Sequence, residues 1–321
     1  MSLQIRRYRK EDEQTWNAFL TQSKNATFLF HRAYMDYHQD RFRDHSLLIF
    51  NSDQLIALLP ANEKESQLYS HGGLSYGGLI LTNDSKLQEV LKIFYYVIQY
   101  CSTNGFETLT YKCLPPYLSL IPAQEDLYAL FLLEAKLLRR DTACVVSLAN
   151  PVEYQQRRQR SIKKSARAGA WMRKSESPVH FWEQILSPTL WDRHQLKPVH
   201  SLDEITLLMT RFPTAIKLYE AGIGEEISAG TLVYETETTS HAQYIATTPK
   251  GREHGTLDYL FDCLLKDVYK EKQFFSFGIS NENGGINPGL QDWKEGFGAR
   301  TIALDFYQIL TKNFHLLSPY A

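Results

Sequence analysis

Leu257, Leu260, Phe261, Leu264, Leu265 and Val268 recur at offsets of three and four, while Asp258, Asp262, Lys266, Asp267 and Lys270 take the positions between them. That spacing predicts an amphipathic helix with one face for a core. Ahead of it, residues 240–247 are small, aromatic or β-branched and stop at Thr248-Pro249, as a strand entering a loop does. Behind it, residues 274–279 form a second apolar strand, and the Asn- and Gly-rich residues 281–289 a loop.

The same unit occurs earlier in the chain. Residues 47–50 and 55–60 predict a hairpin around Asn51-Ser-Asp53, followed by a glycine-rich loop, His71-Gly-Gly-Leu-Ser-Tyr-Gly-Gly78. Leu87, Val90, Leu91, Phe94, Tyr95 and Ile98 then repeat the helical spacing, and residues 106–111 repeat the strand. Strands, glycine-containing loop, helix and strand thus appear in 47–113 and again in 215–279, an internal duplication.

Around these copies, residues 3–8 predict a strand and 10–22 a helix with Trp16, Phe19 and Leu20 inward. Residues 31–38 predict a second helix, with His31 and His38 on one face in a structural role. A helix over 125–140, a strand over 144–148, a broken helix over 181–212 and a last strand over 301–310 complete the pattern. Small residues in the His71–Gly78 loop allow a close approach, so Gly72, Gly73 and Tyr76 are candidates to line a substrate cleft; two turns with positive φ would use the glycines equally well.

A chain of 321 residues exceeds one ordinary core, which predicts two domains. The junction is expected near Asn150-Pro151, giving domains over 1–150 and 151–300, with 301–321 a candidate to complete the first. A net charge of −1 gives no bulk attraction for nucleic acid or membrane, so neither DNA binding nor membrane insertion is expected. Cys101, Cys113, Cys144 and Cys263 are scattered through apolar segments, which predicts reduced core thiols and no metal site. With no signal-peptide pattern and no apolar run near ~20 residues, a cytoplasmic protein is expected.

One stretch departs from neutrality. Arg157, Arg158, Arg160, Lys163, Lys164, Arg167, Arg173 and Lys174 occur within 157–174 without an acid. On a helix Arg157, Arg160, Lys164 and Arg167 share one side, with Ile162, Ala166 and Ala170 on another. Such a block is either a solvated face or a site for a phosphate-bearing partner, with Arg160 and Lys164 the candidates to hold it.

Two motifs resemble a known family. Arg252-Glu-His-Gly255 at the predicted helix start resembles the first half of the pyrophosphate loop of the GNAT acyltransferases, although Leu257 stands where a small residue is usual and Glu253 adds a negative charge. Gly289-Leu-Gln-Asp-Trp-Lys-Glu-Gly-Phe-Gly298 resembles the end of the domain in the Fem-type peptidyltransferases and related acetyltransferase-like proteins of bacterial cell-envelope pathways, and this likeness covers most of the chain. It implies an α/β (α+β) fold of two tandem GNAT-like domains, each a mixed, mostly antiparallel sheet flanked by helices. It also implies an acyl-CoA co-substrate, or aminoacyl-tRNA as the alternative, and an amine acceptor on a small molecule or glycan precursor. On this resemblance Arg252, His254, Gly255 and Thr256 would bind the donor's phosphates. Glu253 and Leu257 leave open a non-catalytic ligand-binding protein.

Acyl transfer needs a neutral amine, a donor to the developing oxyanion and an acid for the leaving group. His241 and Tyr244 lie on the strand before the helix, with His241 and Gln243 on one face by the two-residue period and Tyr244 on the other. The ordinary pKa of His241 suits a base near neutral pH. Asn281, Glu282 and Asn283 leave the end of the next strand, where Glu282 would act through water and Asn281 would contact substrate. Lys294 is a candidate for the oxyanion, with Trp293 beside it for the substrate. No Gly-x-Ser-x-Gly, Walker or His-Glu-x-x-His motif offers another chemistry.

Overall fold

A computed structural model describes residues 3–282 and 284–321, and the chain divides into two compact units. The first comprises Met1–Asp141 with Ala303–Ala321, the second Thr142–Ile302.

In the first unit, β1 (Leu3–Arg7), α1 (Glu13–Leu20) and the four-residue α2 (Arg32–Met35) are followed by six short strands. These are β2 (Arg43–Asp44), β3 (Leu47–Asn51), β4 (Gln54–Leu59), β5 (Asn62–Lys64), β6 (Gln67–Tyr69) and β7 (Ile80–Leu81). Then come α3 (Leu87–Thr103), β8 (Thr108–Lys112), α4 (Glu125–Leu132) and the start of β9 (Lys136–Ser147). Strands β1, β3, β4 and β7 form an antiparallel sheet, while β6 pairs antiparallel with β5 and parallel with β8. The apolar face of α3, including Ile93, Phe94, Val97 and Ile98, is buried on Leu47, Leu59, Leu68 and Leu109 in one core. Burying such a side chain contributes about 1.5–3 kcal/mol.

The second unit starts with the rest of β9, then α5 (Gln156–Arg167), β10 (Ala170–Ser175), α6 (Ser187–His194) and α7 (Leu202–Arg211). Long strands follow: β11 (Ile216–Ile223), β12 (Glu226–Glu235) and β13 (Thr239–Thr247). After α8 (Pro249–His254) and α9 (Thr256–Cys263) come β14 (Phe274–Ile279), the small hairpin β15 (Asn281–Glu282) and β16 (Gly285–Ile286), and α10 (Pro288–Glu295). Strand order is β10-β11-β12-β13-β14-β9, antiparallel except that β13 and β14 run parallel. Leu260, Phe261, Leu264 and Leu265 of the predicted helix meet Phe275, Phe277 and Phe297 in the core. Finally β17 (Arg300–Leu310) returns to the first unit, where residues 306–310 pair with β8.

Several expectations need correction. The segment over 125–140 is not one helix: α4 ends at Leu132, Glu134 adopts φ 52°, and the Ala135 N–H returns to the Leu130 carbonyl as a helix stop. Leu137 and Leu138, which matched the helical period, lie on β9 and are 41% and 46% exposed. The first unit ends at Asp141, before the expected junction, because residues 143–147 of β9 pair with β14. His31 and His38 do not share a helical face: His31 is the N-cap of α2, its Nδ1 accepting the Ala33 N–H, and the helix tightens to 3-10 geometry at Asp36–His38.

Candidate functional site

Strands β13 and β14 are paired for three residues only, Thr239 to His241 against Phe274 to Ser276. Both then leave regular register. In β13, Val233 of β12 faces Ala242 and Leu232 faces Tyr244, so Gln243 is a bulge. In β14 the register against β9 slips between Ser276 and Ile279, with Gly278 at φ 71°. A side chain there would meet the His241 ring, whose Cε1 is 3.3 Å from where a Cβ would stand. Beyond this point the two parallel strands split.

The bulge corrects the predicted faces. His241 opposes Tyr234 and Tyr244 opposes Leu232, two residues apart on β12, so His241 and Tyr244 share a face.

Three side chains meet at the split. Ser276 Oγ accepts the Gly278 N–H at 3.2 Å and is hydrogen-bonded to His241 Nδ1 at 3.0 Å. Lys294, 2% exposed, reaches in from α10 and donates to the carbonyls of Gly278 at 3.2 Å and Ile279 at 2.5 Å. No carboxylate is recorded within ion-pair distance of Lys294 among the described residues. Burial lowers its pKa to about 8, so it stays mostly protonated at neutral pH. Burial, then the Lys294 charge, lowers His241 to about 4. The expected neutral-range base is therefore an uncharged imidazole with little affinity for a proton. Cys144 on β9 lies behind, its thiol donating to Gln291 Oε1 at 3.2 Å.

The predicted phosphate loop has a different construction. Thr248 caps α8 by accepting the Gly251 N–H at 3.1 Å, and Gly255 turns the chain at φ 75° into α9. The Gly255 N–H bonds the Arg252 carbonyl, and the space a Cβ would fill holds Ser161 of α5. Lys164 Nζ donates to the Glu253 carbonyl at 2.8 Å. Gly255 and Thr256 are buried, so this helix start is a helix-packing contact where the sequence predicted an anion site. Arg252 is exposed and His254 half-buried.

The basic helix also divides differently. Its buried side is Arg158, Ile162 and Ser165, whereas Ala166 is exposed and Ala170 begins β10. Arg158 is ion-paired with buried Asp258, and Arg157 with Asp292. Arg160, Lys163, Lys164 and Arg167 remain on the outside.

Other predicted residues are held in structural roles. Trp293 donates its indole N–H to Asp258 Oδ1 at 2.8 Å, and its ring lies among Phe261, Phe277 and Phe297. Asn281 Oδ1 accepts the Thr142 N–H at 2.8 Å, and Glu282 accepts from the Asn287 amide, which caps α10. Asn283 lies outside the described residues. The Tyr244 hydroxyl accepts the His200 N–H at 3.2 Å and is hydrogen-bonded to His200 Nδ1 at 2.6 Å, which ties it to His200. In the first unit, Tyr76 is turned inward, its hydroxyl 2.9 Å from that of Thr27. The Gly72 N–H donates to Asn62 at 2.6 Å, and Gly73 is pressed against His38 and Phe42. Sequence reasoning missed Ser276, Gly278, His200 and Asp258; a glycine inside an apolar strand was the one available sign of a bulge.

No protein-family profile and no curated protein matches the chain. Solved structures do. FemX superposes with a TM-score of 0.67 at 10% identity, over 98% of this chain and 99% of its own. L-PGS from Bacillus licheniformis gives 0.60 at 15% identity, over 97% and 94%. A tandem GNAT protein from the clavulanic acid biosynthesis pathway, solved without AcCoA, gives 0.53 at 11% identity, over 97% and 99%. At these identities the likeness is one of fold: the architecture is that of the Fem-type and tandem GNAT proteins.

Proposed function

We propose that this protein is an N-acyltransferase whose chemistry takes place in the second unit, at the split between β13 and β14. The observation that carries the reading is the Lys294 ammonium, buried there, with no carboxylate partner among the described residues and bonded to the backbone carbonyls of Gly278 and Ile279. A buried cation without a counter-charge is costly, and such groups concentrate where negative charge develops. The amine nitrogen attacks the acyl carbon directly; the carbonyl oxygen becomes an oxyanion facing Lys294; collapse forms the amide and expels the thiolate or alkoxide, and the proton shed by the attacking nitrogen passes to that leaving group. The neutral His241 ring keeps a second positive charge away from an incoming amine. The acceptor class follows the resemblance: an amine of a cell-envelope or polysaccharide precursor.

The donor has two readings. An acyl-CoA would enter the split without the usual phosphate contacts at the start of α9, where Ser161 is packed on Gly255. The same closure, with Arg160, Lys163, Lys164 and Arg167 outward on α5, favours a polyanionic carrier such as aminoacyl-tRNA. Incubating the protein with acetyl-CoA, longer acyl-CoAs or charged transfer RNA, each with a panel of amino sugars, tests both. The expected result is amide formation that is lost in Lys294→Met. Reversing Arg160 and Arg167 should abolish transfer from tRNA and spare transfer from acyl-CoA. Absence of both transfer and binding with every donor would overturn the reading.

A further inference from the structure

The first unit contains the counterpart of the split. Its parallel ladder, β6 with β8, pairs Gln67 to Tyr69 with Thr108 to Thr110 and then stops, as β13 and β14 do. Here the chain's own glycine loop closes the inner part. Ser70 Oγ accepts the Lys112 N–H at 2.7 Å, Gly77 lies directly on the Ser70 carbonyl, and the Tyr111 hydroxyl accepts the Leu79 N–H at 2.9 Å. Glycine is needed at 77 because any Cβ would occupy that carbonyl's place.

The outer end carries a second uncompensated ammonium. Lys112 Nζ donates to the carbonyls of Leu74 at 2.6 Å and Gly72 at 3.3 Å, which leaves its third proton for another acceptor. Burial and then the Arg139 charge lower its pKa to about 8, and no acid acts on it in the opposite sense. Asp141 and Asp305 are already engaged by Arg139 and Arg140. Lys112 and Arg139 both lie over the Phe306 ring, at 6.0 and 4.9 Å from its centroid. His71, buried beside the loop at φ 63°, has its Nδ1 without a hydrogen-bond partner. Lys112, with a free proton, and Arg139, whose Nε and Nη2 are held by Asp141 and whose Nη1 is not, lie over one ring beside an exposed Gly72, and the excess positive charge there suits a bound anion.

We propose that Lys112, held in place by the Gly72 and Leu74 carbonyls, and Arg139 form an oxyanion-binding site in the first unit that takes a phosphate ester or a carboxylate. Lys112 supplies the fixed charge and Arg139 the second contact. This assignment does not depend on acyl transfer in the second unit.

Calorimetric titration of the full chain at neutral pH and low salt tests it, with inorganic pyrophosphate as the phosphate probe and glutarate as the carboxylate probe. The expected result is binding weakened about tenfold or more in Lys112→Gln and severalfold in Arg139→Gln, and unchanged in the surface variant Lys270→Gln. Arg139→Gln touches no loop carbonyl, so it keeps the test valid if Lys112→Gln disturbs the loop. Tighter pyrophosphate binding identifies a phosphate ester, tighter glutarate binding a carboxylate. Equal affinity in the wild type and both first-unit variants, or no binding of either probe at about 10 mM, would overturn the proposal.

Discussion

His241 and Ser276 are the last facing pair of the parallel ladder between β13 and β14, and their side chains are bonded across it, Nδ1 to Oγ, at 3.0 Å. That bond fixes where the ladder ends. The Ser276 hydroxyl also accepts the N–H of Gly278, so the bulge in β14 and the ring on β13 are held by one oxygen atom. Lys294 then bonds the two carbonyls that the bulge turns inward.

The folded pKa of His241, about 4, lies below its ordinary 6.5. Between those values the unfolded chain binds more protons, so stability falls as pH drops through the window and is unaffected by this group above it. The cost, once both states are protonated, is about 3 kcal/mol. Urea melts from pH 7 to pH 4 should show this loss in the wild type and a smaller one in His241→Gln. Equal slopes would mean that the ring is not shielded as described.

Lys294 works in the opposite pH range with the same sign. Its folded pKa, about 8, lies below the ordinary 10.5, so the buried charge destabilises the fold at neutral pH, and stability should rise with pH between these values. Replacing the ammonium by the similar-sized Lys294→Met removes about 3 kcal/mol of burial cost but leaves the Gly278 and Ile279 carbonyls unpaired at about 1–3 kcal/mol each, so stability should change little or fall by up to about 3 kcal/mol while transfer is abolished. Thermal melts beside an activity assay check this. A larger loss of stability would instead mark Lys294 as a structural residue. In the wild type, activity that needs the ammonium should decline above about pH 8.

Much of this architecture is visible in the sequence, because strand and helix periods report burial directly: the helix from Leu257 and the strand from Phe274 form the core of the second unit as their spacing requires. The site is less visible. Gln243 has nothing that marks it as a bulge, and one extra residue moves Tyr244 to the face of His241. The Arg252–Gly255 motif looks like a phosphate loop because glycine serves equally for approach by a ligand or by another helix; only the position of Ser161 decides between them. Likewise, the run of arginines does not reveal that Arg158 turns inward to Asp258.

Closure of the α9 start is itself measurable. Gly255→Ala forces a Cβ into the left-handed region and into Ser161, which should cost about 2–3 kcal/mol. Adding Ser161→Gly removes the worst contact, that with the Oγ, though the residue 161 carbonyl stays at 3.0 Å, and should recover part of that loss, leaving at least about 1 kcal/mol for the backbone. A double-mutant cycle by chemical denaturation checks the coupling. If Gly255 instead served an approaching phosphate, Gly255→Ala would raise the donor KM and cost only about 1 kcal/mol, that of the backbone.

Tyr244 offers a sharp separation between structure and chemistry. Its hydroxyl is bonded to both the backbone N–H and the Nδ1 of His200, and the indole N–H of Trp182 donates to the His200 carbonyl at 3.2 Å. His200 is 5% exposed, so Tyr244→Phe removes two hydrogen bonds shielded from water, at about 1–1.5 kcal/mol for each. The variant should lose about 2–3 kcal/mol of stability and keep its kcat within severalfold at a temperature well below its melt. A general acid behaves differently: its removal typically lowers kcat by about 10²–10⁴ and changes stability little. Comparing kcat with the denaturation midpoint of Tyr244→Phe therefore decides whether this hydroxyl anchors His200 to the bulged strand or supplies the proton to the leaving group.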